Sequence, residues 1–270
     1  TGGASVLFVH AVNPYGFHFG RRFNENNVDL NRNWMWSEAE WQKALSREPN
    51  AHGYEDVRGL FSPTVHSWWD FFLLFAKALP EMRHAQAIKT AAVSGQYHHR
   101  EGIFFGGFRR EASTQALDRI LQQFARSASH FVSIDVHSGL GPCGEDTLMV
   151  PAVDVSKVET LVSDSRRRID PIDEHAAATA VSGGYGGAMG LLKPRTRTEA
   201  RFAATVFQEF GTRPGFVVLS ALVAENAAFH QTHRHSVAHT FLRKVLLSVF
   251  LVDETAWKDS VLRRGVDLYA

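Results

Sequence analysis

The sequence predicts an α/β domain in which helices cover a sheet. Short β-rich runs at His130–Val136, Thr147–Val150 and Ala203–Phe210 alternate with longer segments whose apolar residues recur at helical spacing. Alternation of this kind is typical of layered α/β domains. The chain has 270 residues, of which 44% are hydrophobic and 21% charged, so it can bury a full core. Because no repeat, low-complexity tract or linker divides it, we expect residues 1–270 to form a single domain.

The N-terminal half predicts one strand followed by helices. In chain order the expected elements are a strand at Ser5–His10, a helix at Ser37–Leu45, irregular structure at Glu48–Leu60, a long helical segment at Thr64–Ala92 and a helix at Ala112–Ser127. The strand is expected because its apolar, β-branched run ends at the turn signal Asn-Pro-Tyr-Gly at 13–16. The first helix is expected because Ser37 can cap it and Glu40 stands three residues later.

The C-terminal half predicts most of the sheet. Its expected elements, in order, are strands at His130–Val136 and Thr147–Val150, a helix at Val153–Arg167, a strand at Ala203–Phe210 and helices at Val217–Phe229 and Ser236–Val252. The sequence Ser-Gly-Leu-Gly-Pro at 138–142 predicts a loop between the first two strands. The glycine-rich stretch 182–190 lacks the register of a nucleotide-binding loop, and we expect it to be a mobile loop over a site.

Composition argues against several classes of function. The formal net charge is +1 and the basic residues are scattered, so we expect neither nucleic-acid binding nor attachment to an acidic membrane surface. The one cysteine, Cys143, excludes an internal disulfide framework and a cysteine-based zinc finger, and it slightly favours the reducing cytoplasm. No run approaches the about 20 uninterrupted apolar residues of a membrane span, because Glu225 and Asn226 interrupt even Phe216–Phe229. The oligomeric state is left open.

The start of the chain suggests a missing segment. Only Thr-Gly-Gly-Ala precedes the expected strand at Ser5–His10. A natural reading frame begins with Met, and no signal or transit peptide stands before the strand. We therefore expect that a segment of the natural protein precedes Thr1.

Two side chains at strand ends are candidates for chemistry. His137 follows its strand directly, and Asp135 would point to the same face of that strand, so the carboxylate can orient the imidazole. Glu209 lies between Phe207 and Phe210, and apolar surroundings raise the pKa of a carboxyl group toward the range that suits a general base. The alternatives are a hydrogen-bonded core histidine and a strand-end carboxylate that faces water.

The 14 histidines invite a search for metal sites, and the densest group lies in His230–His239. His235 and His239 are four residues apart and would share a helix face. However, Ser236 stands where a His-Glu-x-x-His zinc protease has its general base. We therefore expect a polar helix junction there rather than a metal site.

The segment 21–36 crowds amides, acids and arginines together, which is typical of a solvated loop or of the wall of a polar ligand site. It also belongs to a set of motifs that follow one another along nearly the whole chain. These are Asn-Pro-Tyr-Gly at 13–16, Arg22, Val-Asp-Leu-Asn-Arg-Asn at 28–33, Gly-Gln-Tyr at 95–97, Gly-Gly at 106–107, Asp-Val-His-Ser at 135–138, Glu-Phe-Gly-Thr at 209–212 and Ala-Glu-Asn at 224–226. In order and rough spacing they resemble the zinc carboxypeptidases, most closely a little-characterised branch between those metallopeptidases and the succinylglutamate desuccinylase/aspartoacylase group.

The resemblance implies a mixed sheet between helices and a Zn²⁺-dependent hydrolase that cleaves an amide bond near a free carboxylate. The roles that it implies are His137 as a zinc ligand, Glu209 as general base and acid, Arg22 polarising the scissile carbonyl, Asn31 and Arg32 holding the substrate carboxylate, Tyr185 contacting the substrate, and Asp29 and Asp135 orienting metal-bound imidazoles. A planar guanidinium can bind a carboxylate through two parallel bonds, and an adjacent amide can fix its tilt. The implied substrate is a small peptide or an N-acyl amino acid.

The chain departs from the family pattern in its metal ligands. Catalytic zinc sites of this kind use two histidines, a glutamate and water, and the family's first pair comes from a His-x-x-Glu segment before the Asn-Pro-Tyr-Gly strand. Nothing before Ser5 supplies that pair, so we expect the chain as given to be inactive. Two other functions stay open: an N-acyl amino acid deacylase of the aspartoacylase type, and a non-catalytic carboxylate-binding module that has lost the metal.

Overall fold

The computed structural model describes residues 4–64, 69, 70, 73, 76, 84–162, 167–172, 188–192, 202–233 and 236–269. The helices in these ranges are α1 (Pro14–Phe19), α2 (Glu38–Leu45), α3 (Tyr54–Phe61), α4 (Ala85–Ser94), α5 (Ala112–Phe124), α6 (Val155–Leu161), α7 (Gly215–Gln231), α8 (Val237–Phe250) and α9 (Thr255–Tyr269). The strands are β1 (His130–Cys143), β2 (Asp146–Pro151), β3 (Arg168–Ile172) and β4 (Phe202–Gly211). Short 3-10 turns lie at Leu30–Arg32 and Ala152–Asp154.

The four strands form one mixed sheet flanked by helices, which confirms the predicted α/β class. Their order across the sheet is β1-β4-β2-β3. β1 runs parallel to β4, β4 antiparallel to β2, and β2 parallel to β3. β4 lies inside the sheet and its residues 204–211 are buried, so both of its faces need apolar side chains.

β1 is longer than the sequence predicts, because residues 138–142 continue the strand instead of forming a loop. The pairing with β4 shifts there, from Ser138 opposite Phe210 to Cys143 opposite Gly211. Gly139 has a φ of +141°, a conformation that side chains larger than glycine rarely adopt. The glycines that predict a loop therefore mark a bulge in β1 beside the end of β4.

The N-terminal predictions are confirmed only in part. α2 has the predicted capping box, in which Ser37 and Glu40 each accept a hydrogen bond from the other's backbone N–H. The prediction of a buried strand at Ser5–His10 is wrong, because these residues are exposed and have no regular secondary structure. Among the described residues no strand pairs with them, and an apolar run forms a strand only when it is paired. The stretch Glu48–Leu60, predicted to be irregular, contains most of α3.

The later helices mostly follow the predictions. α5, α7 and α8 lie where helices are expected, whereas α6 covers only the first part of Val153–Arg167. α9 has no counterpart among the predicted elements. Most of Thr64–Ala92 lies outside the described residues, and its last part forms α4. No helix in the described ranges is both long and apolar enough to cross a lipid bilayer.

The largest apolar cluster lies where α3, α4 and α7 meet. It includes Phe61, Ile88 and Leu222, and Phe104 joins it from the loop that follows α4. A smaller cluster holds α9 against the end of β4, where Trp257 donates its indole N–H to the carbonyl of Gly211 at 2.8 Å. The carboxyl-terminal end of β4 is therefore fixed by packing, which positions the side chains just before it.

Candidate active site

One cavity of about 540 Å³ brings together four of the predicted site residues. Arg22, Arg32, His137 and Glu209 all line it, together with residues of the β1 bulge and of helices α4 and α7. Its volume lies within the range of about 300–1,000 Å³ that is typical of small-molecule sites. The cavity is therefore the candidate active site.

His137 and Glu209 come together because their strands are paired. In the parallel ladder of β1 and β4, His137 lies directly opposite Glu209, so both side chains point to the same face of the sheet. On its other side Glu209 pairs with Thr147 of β2, which also lines the cavity. The positions of the imidazole and the carboxyl group thus depend on backbone pairing rather than on a loop.

Asp135 contacts His137 along β1. Its Oδ2 lies 2.8 Å from Nε2 of the imidazole. At this distance the carboxylate forms a close ion pair with the imidazole, and the contact raises the pKa of His137. Because Nε2 faces Asp135, Nδ1 is the imidazole nitrogen that can act on a ligand.

The charge of His137 follows from its neighbours. Burial lowers the pKa of the imidazole, but the carboxylates of Asp135 and Glu209 together outweigh burial, and the pKa of His137 rises to about 9. At neutral pH the ring is then an imidazolium, which donates hydrogen bonds and must lose a proton before it can bind a metal.

The Glu209 carboxyl group is buried and held in one orientation. Its Oε1 accepts a hydrogen bond from the backbone N–H of Leu140, in the β1 bulge, at 3.0 Å. Burial, together with a smaller contribution from the charge of Asp135, raises the pKa of Glu209 above its usual value, although His137, the Leu140 N–H and Arg22 lower it. The bulge therefore helps to position Glu209, because it turns a backbone N–H toward this carboxyl group.

Asp29 fixes Arg22 in the cavity wall. The Arg22 Nε donates to Asp29 Oδ2 at 3.0 Å, and the guanidinium lies 5.2 Å from the centre of the Phe104 ring. Asp29 also caps the following 3-10 turn by accepting from the Asn31 N–H at 3.0 Å. Burial raises the pKa of Asp29, but Arg22 and Arg32 reverse this and keep the pKa below its usual value. In the described structure Asp29 orients an arginine rather than an imidazole.

The Arg32 side chain donates two hydrogen bonds to backbone carbonyls. Its Nη1 donates to the carbonyl of Asn31 at 2.7 Å and its Nη2 to the carbonyl of Val93 at 2.5 Å. The side chain of Arg22 is 22% exposed, whereas Arg32 as a whole is 1% exposed. Both guanidinium groups line the cavity, and Arg22 is the more accessible of the two.

Asn31 is not among the residues that line the cavity. Its Oδ1 accepts a hydrogen bond from the Leu192 N–H at 2.9 Å. Its Nδ2 is buried and has no hydrogen-bond partner among the described residues. The structure therefore shows no contact between the Asn31 amide and the cavity. Tyr185 lies outside the described residues.

The other amides of the segment 21–36 hold the loop that follows α4. Asn24 and Asn26 both donate to the carboxylate of Glu111, at 2.9 and 2.7 Å. Asn27 and Asn33 donate to backbone carbonyls of residues 100–109. These amides satisfy buried polar groups and thereby fix the segment that carries both arginines of the site.

Arg21 makes a buried ion pair that no local sequence pattern predicts. Its Nε lies 2.7 Å from Glu225 Oε1, and both side chains are buried. The Arg21 guanidinium lies 3.3 Å from the centre of the Phe229 ring, and His239 Nε2 lies 3.3 Å from the same oxygen of Glu225. The network joins the residue before Arg22 to α7 and α8. The sequence signal for it is an acid inside an otherwise apolar helix.

The described residues do not fit a complete zinc site. Catalytic zinc takes three protein ligands, and no group of three His, Cys, Asp or Glu side chains in the described ranges could hold a metal ion. His137 is paired with Asp135, and His239 with Glu225. His235 lies outside the described residues.

The apolar walls of the cavity come from α4 and α7. Ile88, Ala92 and Val93 contribute from α4, and Leu219 and Leu222 from α7. The sequence predicts both helices but gives no sign that they line a cavity. An apolar stripe that faces a cavity has the same spacing as one that faces the core.

Comparison with known proteins gives a family. No curated protein and no solved structure matches the chain. Residues 1–264 match the family described as "Protein of unknown function (DUF2817)", which covers nearly the whole sequence. The chain belongs to this family.

Proposed function

We propose that the protein is a hydrolase that cleaves an amide bond in a small substrate with a free carboxylate. The observation that carries the proposal is that Arg22, Arg32, His137 and Glu209 line one cavity of about 540 Å³. Two guanidinium groups, an imidazole and a buried carboxyl group supply charge stabilisation and proton transfer, which are the two requirements of amide hydrolysis.

The arginines bind the negative charge of the substrate. The guanidinium groups lie 5.2 Å (Arg22) and 6.0 Å (Arg32) from the centre of the Phe104 ring, and both positive charges lower the pKa of Asp29. The substrate carboxylate binds at this pair. Arg22, which is the more accessible, also stabilises the oxyanion that forms on the scissile carbonyl.

Glu209 acts as general base and then as general acid. A water molecule attacks the carbonyl carbon and gives a proton to the Glu209 carboxylate. As the carbon–nitrogen bond breaks, the same carboxyl group passes that proton to the leaving amine. The hydrogen bond from the Leu140 N–H keeps the carboxyl group in place during both transfers. His137, directly opposite on β1, presents Nδ1 to the reacting group.

Zinc remains part of the proposal only as an expectation from the family resemblance. A zinc ion at His137 would need donors beyond the described residues, so no step of the reaction is assigned to zinc. The single cysteine, Cys143, is free and exposed, which is the basis for proposing that the protein works in the reducing cytoplasm.

A carboxylate-binding module without catalysis is the second candidate function. The observation that favours it is that the described residues bring no further ligand to His137. Such a module would keep the arginine pair and the cavity but would release no product.

Substitution of Glu209 by Gln separates the two functions. Release of free amine from N-acyl amino acids and short peptides is measured on the full-length natural protein, with added zinc and without it. A hydrolase should slow by about 100- to 10,000-fold in Glu209→Gln, because the variant keeps the shape of the side chain but cannot take a proton. Glu254→Gln, at an exposed ion pair with Arg213, is the matched control and should keep the wild-type rate. If the wild type binds these compounds but releases no amine, the protein is a binding module.

A further inference from the structure

We infer that the part of the substrate on the far side of the scissile bond is a medium-length aliphatic acyl chain, so that the substrate is an N-acyl amino acid rather than a peptide. The inference deepens the proposed function and rests on it. It depends on the shape and polarity of the cavity walls formed by α4 and α7, whereas the strands contribute polar side chains, among them Thr147, Arg168 and Asp170.

The wall formed by α4 shows where the apolar part of the substrate lies. Val93, Ile88 and Ala85 line the cavity on one face of this helix. The carbonyl of Val93 accepts the hydrogen bond from Arg32 Nη2, so this face starts at the carboxylate-binding end. Ala85 is eight residues away, or about 12 Å along an α-helix. Ile88 is buried and Ala85 is exposed, so the stripe leads from the interior to the surface.

The length of this wall favours an acyl chain over an amino-acid side chain as its occupant. About 12 Å is longer than any apolar side chain of the standard amino acids, whereas an extended acyl chain can follow the whole stripe. α7 contributes further apolar side chains to the same cavity, Leu219 and Leu222. An acyl chain in the cavity can therefore contact carbon atoms of both helices.

The polarity of the walls argues against a peptide. Each peptide group that enters an apolar cavity loses its hydrogen bonds to water and needs replacements. On the cavity faces of α4 and α7 the polar side chains are Lys89 and Ser220. Lys89 lies on the exposed part of α4, and the Ser220 hydroxyl already donates to the carbonyl of Phe216. A methylene chain makes no such demand.

Calorimetric titration with N-acetyl-, N-butyryl- and N-octanoylglycine tests the inference. Each compound has the same carboxylate and amide, so only the acyl chain varies. Affinity should rise by about fourfold for each methylene that becomes fully buried. Trialanine, a peptide of comparable length, should bind more weakly than N-octanoylglycine.

A pair of variants on α4 locates the chain. Ala85→Trp fills the outer end of the stripe. It should weaken the binding of N-octanoylglycine by about tenfold or more and leave the affinity for N-acetylglycine unchanged. Gln86→Trp, on the next residue and outside the cavity, is the control and should leave both affinities unchanged. If Ala85→Trp weakens the binding of neither ligand, the acyl chain does not follow α4 and the inference is wrong.

The titrations also separate this inference from the proposed function. Equal affinity for all three acylglycines overturns the acyl-chain inference and leaves carboxylate recognition in place. Chain-length dependence with no amine release from the full-length natural protein, with zinc added, supports the inference and contradicts hydrolysis. If none of the acylglycines binds, both are wrong.

Discussion

Breaking the buried ion pair between Arg21 and Glu225 should strongly destabilise the protein, because it leaves one charge buried without its partner. In Glu225→Gln the side chain keeps its size, but the guanidinium loses its counter-charge while it remains buried. Breaking a buried pair in this way costs about 3–5 kcal/mol. The amide oxygens of Asn27 and Asn226 lie 3.2 and 3.3 Å from Arg21 Nη2 and continue to accept from it, which places the loss near the lower end. We expect about 3 kcal/mol less free energy of unfolding.

Urea denaturation and thermal melting measure this loss. At about 2–4 °C per kcal/mol for a protein of this size, Tm should fall by about 6–12 °C. Glu254→Gln removes the ion pair with Arg213, whose side chains are 58% and 41% exposed, and should change the free energy of unfolding by less than about 1 kcal/mol. A Glu225→Gln protein within 1 kcal/mol of wild type would refute the reasoning, because the two pairs would then be equivalent.

Two further predictions concern the site itself. In Gly190→Ala the new Cβ would lie 2.4 Å from the carbonyl oxygen of Arg32, at a φ of +66°, so we expect a loss of about 1–3 kcal/mol in urea denaturation. Gly59→Ala, with open space around it in α3, is the control and should not destabilise the protein; an equal loss in both variants would contradict the steric argument. Metal analysis after dialysis should find zinc below one equivalent, because His137 lacks further ligands among the described residues. One chelator-resistant equivalent would show that other ligands exist.

The sequence predicts the sheet better than it predicts the beginning of the chain. β4 is mostly apolar, apart from Thr205, Gln208 and Glu209, and a strand buried on both faces tends to have such a sequence. Ser5–His10 has the same character but is exposed and irregular. Local pattern cannot decide between these cases, because whether a run becomes a strand depends on the availability of a neighbouring strand.

The candidate site is predictable where local geometry sets it. Asp135 and His137 are two residues apart on a strand, which is enough to predict their contact. The hydrogen bond from Leu140 to Glu209 is not predictable, because it needs the bulge in β1 and the pairing of two strands that are distant in sequence. The Arg21 and Glu225 pair spans 204 positions and is equally hidden from local patterns.

The claim that the arginine end of the cavity binds a carboxylate can be tested by comparing the binding of N-octanoylglycine with that of its carboxamide. Calorimetry of the wild type should show the acid binding about 10- to 100-fold more tightly, since hydrogen bonds to a charged group contribute about 1.5–3 kcal/mol. In Arg22→Gln the ratio should fall toward one, while Arg213→Gln, at an exposed arginine away from the cavity, should keep it. Equal affinity of acid and carboxamide for the wild type, or an unchanged ratio in a folded Arg22→Gln protein, would contradict the claim.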